Sequence, residues 1–342
     1  MHELQNVLYV QTEGTTLRLE HEALRVMRDG AMVARFPLLG LSGVVVFGGV
    51  HVTSSLIHRC AEDGRSLVWL SRTGRFRARL QGATRGNVLL RREQHLALSD
   101  ECHTVAIARQ MVAGKIQNTR QSLLRSARDV ASDGDRGMLQ SVGVDLERGL
   151  AGLQRTLDLD VIRGIEGEAA RRYFAALPRL LVPERRDWCI GGRSRRPPRD
   201  RVNAVLSFLY ALLRAECESA LEGVGLDPQV GYLHALRPGR PALALDLMEE
   251  LRPLSDRVAI TLVNRRQLDD RDFEVAPGGA VYLTDRGRKS VITAWQKRKQ
   301  VEVAHRVLNT RLPIGLVPHV QARLLARHLR ADLDHYPPFL HR

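Results

Sequence analysis

The sequence lacks several features that define common protein classes. Its four cysteines, Cys60, Cys102, Cys189 and Cys217, lie far apart and form no Cys-x-x-Cys pair. This pattern argues against a structural zinc site and favours a reducing compartment. The sequence opens without a charged and then apolar leader, and no uninterrupted apolar run reaches the length of a membrane span. We therefore expect a soluble intracellular protein.

Aromatic residues are also scarce, whereas positive charge is abundant. Phe, Trp and Tyr make up 5% of the 342 residues, too few for base stacking to be the main mode of binding single-stranded nucleic acid. The formal net charge is +14 and comes mostly from arginine. Such an excess favours a polyanionic partner, above all nucleic acid and less well an acidic membrane face.

The periodicity of apolar residues divides the chain into two parts. The first contains short, partly alternating segments separated by Glu-Gly and Asp-Gly turns, which predict strands. These are 7–11, 16–19, 24–27, 32–36, 41–47, 67–70 and 75–80, with one helix at 52–63. From about Val88 the period becomes roughly 3.6 residues and predicts helices. These are 95–130, 140–154, 158–177, 201–222, 242–252, 286–308 and 316–333, with a hairpin at 273–283 around Pro277-Gly-Gly.

The predicted fold is therefore α+β. A small N-terminal β-sandwich domain, residues 1–93, precedes a larger, mostly α-helical domain, residues 94–342, and both are long enough to bury their own cores.

Three acidic residues and one histidine are candidates for a metal site. His234 ends a segment rich in Gly and Pro, where a turn can direct a side chain into a cleft. Asp246 and Glu249 share one face of a predicted helix that is otherwise apolar, where charge is costly unless a cation balances it. Glu166 lies on another helix between two glycines. A structural role for each acid stays open, because most carboxylates lie on solvated surfaces.

Three basic segments are candidates for binding DNA. The loop 185–201 holds seven arginines, which repel one another unless a phosphate backbone neutralises them. Asp200 is predicted to cap the helix that follows, with Asn203 in its first turn. The other two segments are 115–120, with Lys115, and 286–299. Solvated helix faces are the alternative for these.

Four ordered motifs resemble those of the CRISPR-associated adaptation integrases. They begin at Gly164-Ile-Glu-Gly, Arg195-Arg-Pro-Pro, Gly225-Leu-Asp-Pro and Asp246-Leu-Met-Glu. A Gly-Lys-Ile-x-Asn motif at 114–118 and a Tyr-Pro-Pro-Phe tail at 336–339 extend the resemblance over essentially the whole chain. The Asp-Leu-Met-Glu-Glu form is most similar to the versions found with type I systems, the I-C version among them.

The resemblance implies a set of site residues. The divalent-metal ligands, Mg²⁺ or Mn²⁺, fall on Glu166, His234 and Glu249, although some members have Asp at the position of Glu249. Asp246 would bind a second ion or hold water in the outer shell. All four would be catalytic. The residues expected to contact DNA or assist there are Arg193, Arg195, Arg196, Lys289, Asn203 and Tyr173.

The resemblance also implies an activity and partners. The 3′-hydroxyl of a captured DNA fragment, the spacer, would attack a phosphodiester at the CRISPR repeat, and water in its place would give endonuclease activity. The partners would be double-stranded DNA, a second copy of the chain bound through the β-domain, and a small ferredoxin-like adaptation protein, all in the prokaryotic cytoplasm. Two other functions stay open, a metal-dependent nuclease on branched DNA in repair and a non-catalytic basic DNA-binding scaffold.

Overall fold

A computed structural model describes residues 6–74, 76–82, 87–130 and 132–341. The chain separates into two compact units, 1–86 and 87–342, whereas the sequence analysis placed the division near residue 93. The difference arises because residues 87–94, at the start of the first helix of the second unit, hydrogen-bond to other residues of that unit. The Asn87 side-chain amide donates to the Val224 carbonyl at 3.1 Å, and Gln94 bonds the backbone of Asp227.

The described residues of the first unit form two four-stranded sheets and one α-helix. The elements are β1 Asn6–Val10, β2 Thr16–Glu20, β3 Ala23–Arg28, β4 Ala31–Pro37, β5 Leu41–Phe47, β6 His51–Val52, α1 Ser54–Glu62, β7 Ser66–Leu70 and β8 Phe76–Arg79. In the first sheet, of order β1-β5-β7-β8, the β7–β8 pair is antiparallel and the others are parallel. In the second, of order β4-β3-β2-β6, the β2–β6 pair is parallel and the others are antiparallel.

Side chains from both sheets and from α1 form a single hydrophobic core. Leu17 of the second sheet, Val44 and Leu67 of the first, and Leu56 of α1 are all almost completely inaccessible. The parallel pairing of β5 explains its unbroken apolar run, because a strand buried on both faces has no need of alternation. The prediction of a strand-rich N-terminal part is confirmed.

The second unit is mostly helical. Its helices are α2 Val88–Ser99, α3 Glu101–Asp129, α4 Asp133–Arg155, α5 Leu159–Ala176, α6 Arg201–Val224, α7 Ala242–Glu249, α8 Arg252–Asn264, α9 Asp285–Gln300 and α10 Val317–Leu329. Two antiparallel hairpins join them, β9 Phe273–Ala276 with β10 Ala280–Leu283, and β11 Glu302–His305 with β12 Thr310–Pro313. The predicted 273–283 hairpin is confirmed, and so is the cap by Asp200, which accepts from the Asn203 N–H at 2.7 Å.

At two places where the sequence predicts one helix, the structure has two, because a new helix begins inside the predicted range. The segment 95–130 is broken at Asp100, whose extended backbone and side chain cap α3 by accepting from the His103 N–H at 3.1 Å. The helix predicted at 242–252 ends at Glu249, and Pro253 stands in the first turn of α8, where its missing N–H costs nothing. The sequence analysis did not predict α8.

The helix predicted over 286–308 is wrong in its last part. The observed helix α9 ends at Gln300, and the next residues form the β11–β12 hairpin. Asn309 adopts a positive φ of 48° in the turn between the strands, a conformation that Asn tolerates better than most residues. The preference of Asn for turns is the feature of the sequence that indicates this hairpin.

Packing among α3, α4 and α5 positions the predicted site. Ile116 of α3, Leu146 of α4 and Ile162 of α5 belong to one buried cluster, and Leu233 of the loop before α7 joins it. Leu233 of that cluster directly precedes the predicted ligand His234. Ala169, also of the cluster, lies on α5 with the predicted ligand Glu166. The apolar cluster therefore holds α3, α5 and this loop side by side.

The C-terminal tail is fastened to the same helices. The Asn118 side-chain amide donates to the carbonyls of Glu250 and Phe339, both at 2.8 Å, and its oxygen accepts from the His341 N–H at 2.8 Å. The buried Glu250 carboxyl accepts from the Tyr336 hydroxyl and the Phe339 N–H. The motif at 114–118 and the Tyr-Pro-Pro-Phe tail thus pack together.

Within the described part of the chain, the helices are too short or too polar to cross a membrane.

Candidate active site

A single cavity in the second unit brings together the residues predicted to bind metal. Glu166 of α5, His234 of the loop before α7, and Glu249 at the end of α7 all line it, together with Lys115 of α3 and Arg252 of α8. The side chains of Glu166 and His234 are 26% and 21% exposed, while that of Glu249 is 3% exposed. The cavity is thus a charged cleft on a buried floor.

The loop that carries His234 is fixed at both ends by buried polar contacts. Gly225 ends α6 with a φ of 89°, a conformation that glycine adopts without strain. The completely buried Gln94 amide donates to the carbonyls of Asp227 and Val230 at 2.8 and 3.0 Å and accepts from the Asp227 N–H at 2.9 Å. Arg163 of α5 donates to the Leu233 carbonyl at 2.8 Å and so ties the loop to the helix of Glu166.

Asp246 organises the end of this loop. Its carboxylate accepts backbone N–H groups from Tyr232 at 2.6 Å, Leu233 at 2.9 Å and His234 at 3.0 Å. Gly231 permits this approach, because a Cβ there would lie 2.7 Å from Asp246 Oδ2 and 2.6 Å from the Ala242 carbonyl carbon. A carboxylate with so many N–H donors is held rigidly and has little capacity left for a metal ion.

The same carboxylate orients the His234 imidazole. His234 Nδ1 lies 2.6 Å from Asp246 Oδ1, and since a carboxylate only accepts, Nδ1 donates. The other ring nitrogen, Nε2, then faces the cavity with Glu249 Oε1 3.8 Å away. This is the arrangement in which a carboxylate behind a histidine fixes the ring for metal binding.

Glu249 is buried but surrounded by positive charge. Burial by itself raises the pKa of its carboxyl, but the charges of Arg252 and Lys115 outweigh burial and lower that pKa to about 2. Arg252 Nε donates to Glu249 Oε1 at 2.9 Å. The second oxygen, Oε2, is buried and receives no hydrogen bond of good geometry from the described residues, although Lys115 Nζ lies 2.6 Å away.

Lys115 occupies the centre of the site. Its ammonium group pairs with Glu166 and with Glu249 at once, and its side chain is 13% exposed. From the sequence, Lys115 is predicted only as a basic residue of a candidate DNA-binding segment, with no part in the metal site. The ammonium lies between the two carboxylates. Among the described residues, no three His, Cys, Asp or Glu are grouped closely enough to hold a metal ion.

The donor atoms nonetheless suit a divalent cation. Two carboxylates and one imidazole nitrogen are ligands that Mg²⁺ and Mn²⁺ accept, and the oxygens that Lys115 pairs with are the ones a cation would bind. Glu249 Oε2, with Lys115 Nζ 2.6 Å away, already has a positive neighbour whose place a metal cation would take. Metal binding at this position requires that Lys115 withdraw and that the three ligand side chains approach one another.

A second polar network lines another part of the cavity. The Tyr210 hydroxyl donates to Asp256 Oδ1 at 2.5 Å, and Tyr173 also bonds this carboxyl. The guanidinium carbons of Arg252 and Arg193 lie 4.6 and 5.3 Å from the centre of the Tyr210 ring. Such cation–π contacts fix the two arginines while leaving their charge directed at the cavity.

The residues predicted to bind DNA divide into two groups. Arg195 is exposed at the cavity, and Arg193 lines it while donating to Asn203 at 2.8 Å and Ser207 at 3.0 Å. Arg196 and Lys289 are exposed, outside the residues that line the cavity.

Asn203 and Tyr173 are the exceptions in that prediction. Asn203 is 1% exposed and its amide is engaged by Asp200, Gly192 and Arg193. Tyr173 is 5% exposed and bonds Asp256. Burial therefore argues against direct contact of Asn203 with a DNA backbone, and Asn203 holds Arg193 instead. Tyr173 lines the cavity, with its hydroxyl engaged by Asp256.

The fold of the chain is shared with solved structures. A structure described as a casposase bound to integration product superposes with a TM-score of 0.85 at 20% identity, over 97% of this chain and 93% of that one. A structure described as a Cas6-RT-Cas1–Cas2 complex superposes with a TM-score of 0.82 at 23% identity, over 99% of this chain and 36% of that one. The chain has the Cas1-like fold.

Sequence similarity then gives the family. The family model described as CRISPR associated protein Cas1 matches residues 8–297. The CRISPR-associated endonuclease Cas1 1 of Moorella thermoacetica is 56% identical over the full length of both chains. The chain belongs to the Cas1 family of CRISPR-associated endonucleases.

We predict that Lys115→Met destabilises the second unit when no metal is present. The substitution removes the cation that pairs with both Glu166 and Glu249, and Arg252 compensates only in part, so the free energy of unfolding falls by about 2 kcal/mol. Urea denaturation in EDTA measures this. Lys297→Met, an exposed lysine of α9, is the matched control and leaves stability unchanged. Equal stability of Lys115→Met and the wild type contradicts the pairing.

We also predict a pH-dependent effect of Asp256→Asn. Burial raises the pKa of Asp256 from 3.8 to about 6, partly offset by Tyr210 and Arg252. The carboxyl therefore favours the folded state when protonated, and this stability is lost as the pH rises through about 6. Between about pH 5 and about pH 7 the wild type loses about 1 kcal/mol relative to the variant. Urea denaturation at both pH values measures the difference in the free energy of unfolding between wild type and variant. The exposed Asp129→Asn is the control and shows no such dependence on pH. A difference for Asp256→Asn that stays the same at both pH values would contradict the raised pKa of Asp256.

Proposed function

We propose that this protein inserts captured DNA fragments into a CRISPR array. The observation that carries the proposal is the convergence of Glu166, His234 and Glu249 on one basic-rimmed cavity in a member of the Cas1 family. In the proposed reaction the 3′-hydroxyl oxygen of the fragment bonds to a repeat phosphorus while the bond from that phosphorus to the repeat's own 3′-oxygen breaks. The attacking hydroxyl loses its proton to solvent and the departing oxygen gains one.

We propose Glu166, Glu249 and Nε2 of His234 as the ligands of Mg²⁺ or Mn²⁺. When bound, the metal would supply positive charge that stabilises the phosphoryl oxygens and the departing oxygen. Asp246 is a positioning residue rather than a ligand in this proposal, because its oxygens are already engaged by backbone N–H groups and by His234.

The remaining residues of the cavity hold the substrate and the ligands in place. Arg252 keeps the Glu249 carboxylate oriented through its 2.9 Å contact. Arg195 and Arg193, at the cavity, would bind the phosphate on which the reaction takes place, and Arg196 and Lys289 would bind phosphates further along the backbone. Lys115, once displaced from the carboxylates, remains close enough to contact a phosphate oxygen.

The proposed partners follow from the family. They are double-stranded DNA, a second copy of the chain bound through the unit at 1–86, and a small ferredoxin-like adaptation protein. The description of one solved relative as a Cas1–Cas2 complex supports a protein partner, and that of the casposase supports integration as the reaction. The assignment to the type I-C version and the setting in the prokaryotic cytoplasm stay predictions.

Strand transfer tests this proposal. The purified protein, with its small adaptation partner where required, is given a short duplex with free 3′ ends and a supercoiled plasmid that carries a repeat. We expect covalent joining in Mn²⁺, none in EDTA, and a loss of at least about a hundredfold for Glu166→Gln, because a neutral amide replaces a ligand carboxylate. Duplex binding by Glu166→Gln stays close to that of the wild type.

Glu168→Gln is the matched control for this experiment. Glu168 lies on the same helix, is exposed and pairs only with Arg171 and Arg172 among the described residues, so its substitution leaves joining intact. Nicking of the plasmid without joining would favour the branched-DNA nuclease. Unchanged joining by Glu166→Gln, or binding with neither cutting nor joining in any metal, would overturn the proposed site.

A further inference from the structure

A second group of basic side chains lies apart from the residues that line the catalytic cavity. Arg125 of α3, Arg257 of α8, Arg298 of α9 and His341 of the C-terminal tail come from four different elements of the second unit. None of them lines the cavity described above. We refer to these four residues as the tail cluster.

Asn118 brings the tail to the three helices. It binds the Phe339 carbonyl and the His341 N–H, both at 2.8 Å. Arg125 follows Asn118 by about two helical turns and therefore lies on the same face of α3. His341 Nε2 lies 3.5 Å from Arg298 Nη2, so the imidazole and this guanidinium are direct neighbours.

The three guanidinium groups of the tail cluster repel one another. Arg257, Arg298 and His341 are half-buried. Burial first, and then the charges of Arg257, Arg298 and Arg125, together lower the pKa of His341 to about 4, so its ring is uncharged at neutral pH. Burial, and after it the charge of Arg125, lowers the pKa of Arg257. Burial, and after it the charges of Arg257 and Arg125, lowers the pKa of Arg298.

No acidic side chain of the described residues relieves this repulsion. Arg125, Arg257 and Arg298 form no ion pair with any described carboxylate, whereas Arg179 and Arg186, for example, share the buried Asp135. Guanidinium groups held near one another without an anion lower the stability of the fold, and an anion bound there would relieve that repulsion. Their planar donors match the oxygens of a phosphate group.

We propose that Arg125, Arg257, Arg298 and His341 form a binding site for one backbone phosphate of DNA, outside the catalytic cavity. The proposal rests on DNA being the substrate, as proposed above, and extends it to residues that the sequence motifs do not point to. Because Arg298 only donates, Nε2 of the neutral His341 ring accepts from it, and Nδ1–H is left as a further hydrogen-bond donor. Lys115 and Arg125 are separated by about 15 Å along α3, which corresponds to roughly four base-pair steps of a duplex.

The salt dependence of DNA binding tests the proposal. We compare the full-length protein with the double variant Arg257→Gln/Arg298→Gln, using a short fluorescent duplex in EDTA over a range of potassium chloride concentrations. Loss of one phosphate contact lowers the slope of log K against log salt by about 0.9 and weakens binding roughly tenfold at low salt. The double variant Arg128→Gln/Arg155→Gln, which removes the same charge from exposed positions, is the control and keeps the wild-type slope.

The outcomes separate this proposal from the proposed catalytic function. A lower slope for Arg257→Gln/Arg298→Gln alone supports the phosphate site, even where strand transfer itself fails. An unchanged slope, or an equal fall in the control variant, overturns the site while leaving strand transfer untouched. Stabilisation of the wild type, but not of this variant, by inorganic phosphate with no change in the DNA slope also overturns it, because the site would then take free phosphate.

Discussion

The ammonium group of Lys115, placed between the carboxylates of Glu166 and Glu249, is the contact on which the candidate active site depends. Two acids from different helices can both stay ionised at one cavity at low cost when a positive charge stands between them. Lys115 supplies that charge within the chain itself, and Arg252 adds a second contact to Glu249. The site is therefore organised before any metal arrives, and a divalent cation would replace one positive partner by another.

The fold supports this arrangement through buried polar contacts rather than through the ligands themselves. Asp246 gathers three backbone N–H groups and the His234 ring, and Gln94 fixes the beginning of the same loop from α2. Gly231 lets the loop pass against α7. Asp246 and Gln94 are completely buried, and Gly231 has no side chain. The orientation of the His234 ring is therefore set by the core of the second unit.

The sequence pointed to Glu166, His234 and Glu249, which the structure brings to one cavity, more directly than to the residues around them. Alternation and helical periodicity located most strands and helices, and the Pro277-Gly-Gly turn and the Asp200 cap are local signals that a sequence displays directly. The break at Asp100 and the β11–β12 hairpin were missed because capping and turn preferences outweighed helical periodicity there. The partnership of Lys115 with Glu166 and Glu249, and the role of Asp256 under Tyr210, join positions remote in sequence, which periodicity and spacing do not reveal.

The central claim is that a divalent metal and the Lys115 ammonium compete for the same two carboxylates. Anomalous scattering from crystals of the protein grown with Mn²⁺ tests it most directly, with crystals grown in EDTA as the reference. The account predicts one Mn²⁺ peak bounded by Glu166, His234 and Glu249, with Lys115 withdrawn from both carboxylates. Lys115 still paired with Glu166 and Glu249 while Mn²⁺ binds elsewhere, or nowhere, would contradict the account.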